Sequence, residues 1–259
     1  MGKAKQGSSR KGCTSRGLIA WAAVATLSLQ AAVANADPAQ KVFVPTVVQG
    51  ELEFELLGGR QWWHNNEDDR LNQFAGAVAY GFTSWWKSEV EIGTTRLPNE
   101  SFKLDEIEWE NFFALTEPGQ YWLDLGLFAR LTRDYGESRN VVTLGPLLQK
   151  EFGPVQANLN FLFERQLGAR AEPGAEIGYQ WQLKWRGNPR FEPGLQGFGT
   201  LGRTNDFGHQ TQGNIGPAFF GQILTGPRSR LKYDAAVLFG LNKNTPDTTV
   251  RFQIEYEMN

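Results

Sequence analysis

Residues Gly50 to Leu56 read Gly-Glu-Leu-Glu-Phe-Glu-Leu, with glutamates at 51, 53 and 55 and large apolar side chains at 52, 54 and 56. A period of two belongs to an extended strand with one charged face and one apolar face, since a helix would spread both sets around its circumference. A chain built from such strands must offer each of them a polar environment on one side and an apolar one on the other. The pattern recurs through most of the sequence. In one stretch Tyr121, Leu123, Leu125, Leu127, Ala129 and Leu131 oppose Trp122, Asp124, Gly126, Phe128, Arg130 and Thr132. In another, Ile177, Tyr179, Trp181, Leu183 and Trp185 oppose Glu176, Gly178, Gln180, Gln182, Lys184 and Arg186.

The alternation and the turn residues between runs mark out about twelve strands. They fall near residues 47–59, 71–82, 85–96, 103–115, 120–132, 140–152, 154–166, 174–186, 190–202, 208–224, 230–241 and 248–258. The odd-numbered connections are long and polar, running from 59 to 70, 95 to 102, 133 to 139, 167 to 173, 203 to 207 and 242 to 247. The even-numbered ones are tight: Thr83-Ser84, Glu117-Pro118-Gly119, Gly153, Gly187-Asn188-Pro189 and Gly226-Pro227-Arg228. Long and short connections that alternate belong to an up-and-down barrel with loops at one end and turns at the other, and a soluble sandwich has no reason to sort them. Aromatic residues gather toward the short-turn end, at Tyr80, Phe82, Trp85, Trp86, Tyr121, Phe152, Trp185 and Phe191. Their amphipathic rings suit the headgroup level of a bilayer. The expected fold is therefore all-β, a single antiparallel transmembrane β-barrel whose apolar face meets lipid and whose polar face lines a lumen.

The start of the chain agrees with that destination. Lys3, Lys5, Arg10, Lys11 and Arg16 precede an apolar run from Gly17 to Val33, and Ala34-Asn35-Ala36 fits a small-residue cleavage site. Residues 1–36 read as a cleaved signal peptide, 37–46 as an N-terminal periplasmic lead-in and 47–259 as the outer-membrane barrel. Cys13, the one cysteine, would leave with the signal, so disulfides and thiolate metal sites are not expected. Losing five bases and no acids takes the net charge from −2 to about −7, which argues against a nucleic-acid partner. The expected surroundings are outer-membrane lipid and lipopolysaccharide, reached through the barrel-assembly machinery, and no cofactor is called for.

The segment from Gly240-Leu241 through Thr245-Pro246-Asp247-Thr248-Thr249 to Glu255-Tyr256-Glu257-Met258 resembles the ending of proteobacterial barrels grouped with phenol-degradation-associated outer-membrane proteins. That resemblance implies transport of small organic solutes; the wider one, to Gram-negative outer-membrane barrels over residues 47–258, implies the fold. The chain departs from the class at its end, which reads Glu257-Met258-Asn259 where such barrels usually close on Phe or Trp, although Tyr256 and Met258 keep the apolar spacing.

The inward parity carries the chemistry. Glu51, Glu53 and Glu55 form one ladder, Glu89 and Glu91 a second, and Glu106, Glu108 and Glu110 a third; Asp124 and Glu255 add to them. The bases on this face are Arg130, Lys184, Lys232 and Arg251, the last placed beside the first strand if the barrel closes. Carboxylates two residues apart on a strand stand about 7 Å apart. Their repulsion is roughly 0.6 kcal/mol in water and about 2.4 kcal/mol at an effective dielectric of 20. Water, a bound cation or cross-barrel bases must accompany them. The ladders either line a narrow wet passage for cations and neutral polar solutes, narrowed by Trp122, Phe128 and Phe198, or brace a filled barrel with no continuous pore.

Two other functions fit a barrel of this kind. A rim-sited hydrolase would draw on His64 or His209, but no serine stands near either on the same strand face, and the sequence after His209 reads Gln-Thr. Rim histidines beside acids also suit a metal, and solvated loop residues suit the same pattern. A surface-recognition barrel would use Trp62 and Trp63, which serve equally as interface anchors. The Glu67-Asp68-Asp69 run suits solvent or a divalent-bridged lipopolysaccharide contact.

Orientation can be tested with single cysteines labelled on intact cells by an impermeant thiol reagent. His64→Cys is expected to react and Ser84→Cys to stay silent until the cells are broken. The reverse pattern would overturn the assignment of long loops to the exterior.

Overall fold

The computed structural model describes residues 38–64 and 69–259. The leader expected over residues 1–36, with Cys13, and the loop acids Glu67 and Asp68 lie outside the described residues. Twelve strands run in order: β1 (Leu52–Trp62), β2 (Asn72–Gly81), β3 (Trp86–Arg96), β4 (Lys103–Ala114), β5 (Asp124–Asp134), β6 (Arg139–Phe152), β7 (Val155–Leu167), β8 (Glu176–Trp185), β9 (Glu192–Arg203), β10 (Asp206–Gly226), β11 (Ser229–Gly240) and β12 (Thr248–Met258). Each pairs antiparallel with its sequence neighbour, and β1 pairs with β12 from Leu52–Met258 to Trp62–Thr248, so the sheet closes into a barrel. Closure leaves no unpaired edge, as a strand fold in hydrocarbon requires.

Burial follows the period of two. In β2, Gln73, Ala75, Ala77 and Ala79 are buried inside, while Phe74, Val78 and Tyr80 are exposed outside. Every strand presents large apolar side chains outward, among them Phe54, Ile92, Trp109, Leu127, Phe163 and Ile254. An apolar surface that continues around a whole molecule suits lipid and would aggregate in water. At the end that holds the start of β1 and the finish of β12, Tyr80, Phe82, Trp85, Tyr121, Phe152, Trp185 and Phe191 are exposed and form the aromatic rim.

Two connections differ from the sequence reading. The β4–β5 connection, expected as a tight Glu117-Pro118-Gly119 turn, spans residues 115–123 because β5 starts only at Asp124. Its shape is held by the Gly119 amide on Asp124 Oδ1 at 2.7 Å and the Leu125 amide on the Thr116 hydroxyl at 2.9 Å. Trp122 consequently lies outside the strand and is 75% exposed, with Lys150 Nζ 5.4 Å from its ring centre, so it does not narrow the lumen. Conversely, the 203–207 loop is a two-residue hairpin turn, since Asp206 already pairs with Arg203. The ladder slips between Phe207 and Gln212, and the hairpin leans on the 168–175 loop, where Arg203 donates to the Pro173 and Gly174 carbonyls and pairs with Glu172.

The third difference matters most. Residues 38–46, expected as part of a lead-in outside the barrel, run inside it together with Val47. Ala39 packs on Leu57 and Ala75, Phe43 lies among Phe112, Phe128, Leu147 and Leu162, and Val47 packs on that same cluster. The inner wall is cut to admit the segment: a Cβ on Gly126 would come within 2.8 Å of the Pro45 side chain, and one on Gly59 would collide with the Pro38 carbonyl.

The face assignment has a direct test. Leu127→Arg puts a guanidinium into lipid and is expected to lower folding stability by about 2–4 kcal/mol, read from denaturant unfolding in liposomes. Thr132→Arg, on the opposite face beside Glu108, should cost clearly less. Equal losses would contradict the alternation.

Candidate functional site

The lumen has two unlike walls. The first, built by β1, β3, β4, β5, β11 and β12, is ionic. Cross-strand register sets Glu89 opposite Glu110, Glu91 opposite Glu108, Glu55 opposite Glu255 and Glu53 opposite Glu257, so like charges face each other. At about 4 Å such a pair repels by roughly 4 kcal/mol at an effective dielectric of 20, which fixed bases must offset. They are supplied locally. Lys87 pairs with Glu53 at 2.6 Å, and Arg230 pairs with Glu51 at 3.1 Å and also with Glu257. Lys232 pairs with Glu255 at 3.2 Å and with Glu257. Arg130 reaches Glu108 at 3.0 Å, Glu164 at 3.3 Å and Glu110 at 3.6 Å.

The remaining carboxylates converge on a residue that the sequence reading had placed outside. Lys41 Nζ lies 2.7 Å from Glu55, 3.0 Å from Glu91 and 3.5 Å from Glu110, and also pairs with Glu89. One ammonium on the N-terminal segment thus serves four buried carboxylates from three strands. Its neighbour Val42 packs on the cluster of Phe198, Ala218, Phe220, Ala236 and Leu238 from β9, β10 and β11. Phe43 stacks on Phe128 with ring centres 4.2 Å apart and meets Phe112 edge-on at 5.5 Å. Such ring pairs contribute about 0.5–1.5 kcal/mol each beyond burial. Three consecutive residues therefore touch the barrel wall on all sides.

The second wall, from β6 to β10, is made of amides. Gln156 donates to Gln149 and Asn158, Asn158 donates to Gln149, Gln182 donates to Asn158, and Gln196 donates to Gln182, all between 2.9 and 3.3 Å. Asn160 donates to the Phe43 carbonyl at 3.0 Å, which ties the segment to this wall as well. Chains of satisfied amides are rigid and uncharged, and they leave hydrogen-bonding capacity toward a polar solute.

Two cavities result, one on each side of Lys41 and Phe43, which line both. The one toward the termini measures about 300 Å³ and is lined by Glu51, Glu53, Glu55, Glu89, Lys184, Lys232 and Glu255 among others. The one toward the loops measures about 320 Å³ and contains Glu91, Glu106, Glu108, Glu110 and Arg130. A register shift in β4 turns Asp105 into this second cavity next to Glu106, a position that simple parity had not put there. The other site residues sit as follows. Lys184 lies over the Phe220 ring at 5.3 Å. Asp124 is buried at the foot of β5, closing the 115–123 connection. Arg251 is buried and binds Asp234, Gln196 and Gln253, so it is not the partner of the β1 ladder; Arg230, Lys87 and Lys41 are.

The two rim histidines stand apart from this lumen. His64 is exposed, and His209 is exposed with its Nδ1 against Asp206. Trp62 carries the Arg60 guanidinium over its ring at 5.2 Å, and Asp69 accepts the Trp63 amide. The missed element had a signal in the sequence: Lys41 is a lone base at the head of the apolar run Val42-Phe43-Val44-Pro45, just upstream of ladders with too few bases.

Removing the ammonium strands four carboxylates. Lys41→Met is expected to destabilise the barrel by about 3–5 kcal/mol, the usual consequence of leaving buried charge without its partner. The unfolding midpoint in detergent would show it, and a midpoint unchanged from the wild type would mean that the segment is not held by this contact.

Two solved structures share the architecture. The NanC porin superposes with a TM-score of 0.52 at 13% identity, covering 80% of this chain and 99% of that one. The COG4313 outer membrane channel from Pseudomonas putida F1 superposes with a TM-score of 0.57 at 14% identity, covering 85% of this chain and 98% of that one. No protein-family model matches the sequence, and no curated protein does either. Likeness at this identity establishes the fold: the chain is a closed twelve-strand β-barrel of the kind these outer-membrane proteins share.

Proposed function

We propose that this barrel is an outer-membrane channel for small polar solutes, in which residues 38–47 set the aperture. The observation that carries this reading is the pair of polar cavities, one open toward each end of the barrel, that meet only at Lys41 and Phe43. A barrel serving purely as a brace would gain stability from a dry apolar filling, and buried charge would cost it stability. Here the filling is ionic on one wall and amide on the other, which is a surface for hydrated or hydroxyl-bearing solutes. Two of its structural neighbours, the NanC porin and the COG4313 outer membrane channel, support the same direction.

The mechanism is passive. A solute entering the loop-end cavity would exchange water for the Gln180 and Gln212 amides and meet a negative potential from Asp105, Glu106, Glu108 and Asp134, before reaching the Gln149, Gln156 and Gln182 amides of the second cavity. That potential concentrates cations and disfavours anions, most at low salt where screening is weak. Passage to the second cavity requires the Lys41–Phe43 region to shift within its socket. Export through the leader, assembly by the barrel-assembly machinery, an envelope of lipid and lipopolysaccharide, and loops facing outward complete the proposal.

Planar-bilayer recording tests it. The wild type should show small, cation-preferring steps. A variant lacking residues 38–47 should show steps several-fold larger, with stronger cation preference because Lys41 is gone. Absence of conductance in both folded, heat-modifiable proteins would sink the channel reading. Equal conductance in the two would keep the channel and remove the segment's role.

A further inference from the structure

The ionic wall contains a group of buried carboxylates that the bases satisfy only in part. Glu89 and Glu91 stand two residues apart on β3, and Glu110 faces Glu89 across the ladder on β4. One carboxylate oxygen from each lies within 4.8 Å of the other two. Glu89 is 1% exposed and Glu110 fully buried, yet Glu89 Oε2 and both oxygens of Glu110 accept no hydrogen bond. The nearest bases hydrogen-bond Glu89 and Glu91 but only approach Glu110. Lys41 donates to Glu55, Glu89 and Glu91 and stays 3.5 Å from Glu110. Arg130 donates to Glu108 and Glu164 and stays 3.6 Å from Glu110. Two comparable acidic groups in the same wall are better supplied: Lys87 serves Glu53, and Arg230 and Lys232 serve Glu51 and Glu257.

We propose that Glu89, Glu91 and Glu110 bind one calcium-type divalent cation inside the barrel, next to Lys41. Buried carboxylate oxygens without donors must be met by a positive charge or by water. An all-oxygen donor set selects a hard cation. Calcium accepts irregular shells of six to eight oxygens at about 2.3–2.6 Å, whereas magnesium demands a near-octahedral shell at about 2.0–2.1 Å and gives up its water reluctantly. Three carboxylates fixed on two hydrogen-bonded strands, with oxygens within 4.8 Å of one another, suit the more tolerant ion. Glu91 and Glu110 also line the loop-end cavity, which supplies an entry path and water for the rest of the coordination shell. In this arrangement Glu89 bridges two cations, with Oε1 on the Lys41 ammonium and Oε2 on the metal. The bound ion would thus tie β3 and β4 to the N-terminal segment.

The test uses the folded full-length mature barrel in detergent, stripped with chelator and titrated with calcium chloride by calorimetry. One calcium ion per barrel is expected, with magnesium binding at least tenfold more weakly. Glu110→Gln and Glu91→Gln should each weaken calcium at least tenfold, and Glu51→Gln, outside the group, should not. Calcium should also raise the unfolding temperature of the wild type in proportion to the logarithm of its concentration. If neither glutamine variant folds, crystals grown with manganese locate the ion by anomalous scattering without any substitution. No stoichiometric uptake by the folded wild type would overturn the proposal. So would uptake that both variants retain, or an anomalous peak away from Glu89, Glu91 and Glu110.

Discussion

The barrel depends on how charge is balanced across one wall of its lumen. Closed strands force inward residues of neighbouring strands into fixed register, and here that register sets glutamate against glutamate along β1–β12 and β3–β4. Such a wall is unstable alone. Lys41 relieves the β1, β3 and β4 ladders, and because it sits on a segment with no strand pairing of its own, the charges decide where that segment goes. The acid ladders and the plugging segment are thus two halves of one device, each lacking a reason to exist without the other.

Packing follows from that pairing. Once Lys41 is drawn to the ionic wall, Val42 and Phe43 are carried onto the apolar clusters of the other walls, and Asn160 finds the Phe43 carbonyl. Ordering such a segment costs about 1–2 kcal/mol per residue in backbone entropy alone. The offset comes from aromatic burial, the ionic contacts and a wall shaped by Ala75, Gly59 and Gly126 to let the backbone approach. A segment held by a modest surplus of such terms is suited to moving within a channel, since weakening one contact shifts the balance for the whole segment.

The asymmetry of the lumen also has functional consequences. The ionic wall sets the sign of the potential and anchors the segment, while the amide wall presents neutral hydrogen-bonding groups that charge would not dominate. A solute crossing the barrel would therefore slide along amides under a field generated on the opposite side. In the proposed channel the charged groups and the neutral amides belong to different strands, so a substitution on one wall need not alter the other.

The repeated alternation determined most of the fold by itself. A period of two, with apolar residues on one parity and polar ones on the other, leaves closure in lipid as the solution that satisfies every backbone group and buries neither face wrongly. Strand number, closure, the aromatic rim and the inward ladders from Glu51 to Glu110 were all legible in that local pattern. What the pattern could not show were features that alternation does not encode. The 115–123 connection is shaped by side-chain hydrogen bonds of Asp124 and Thr116 within it, the 203–207 hairpin leans on the 168–175 loop through Arg203, and Asp105 enters the lumen through a register shift. The path of residues 38–47 was decided by tertiary structure alone. Its residues carry no periodicity, and the force that draws Lys41 inward exists only after four carboxylates from three separate strands have been brought to one point.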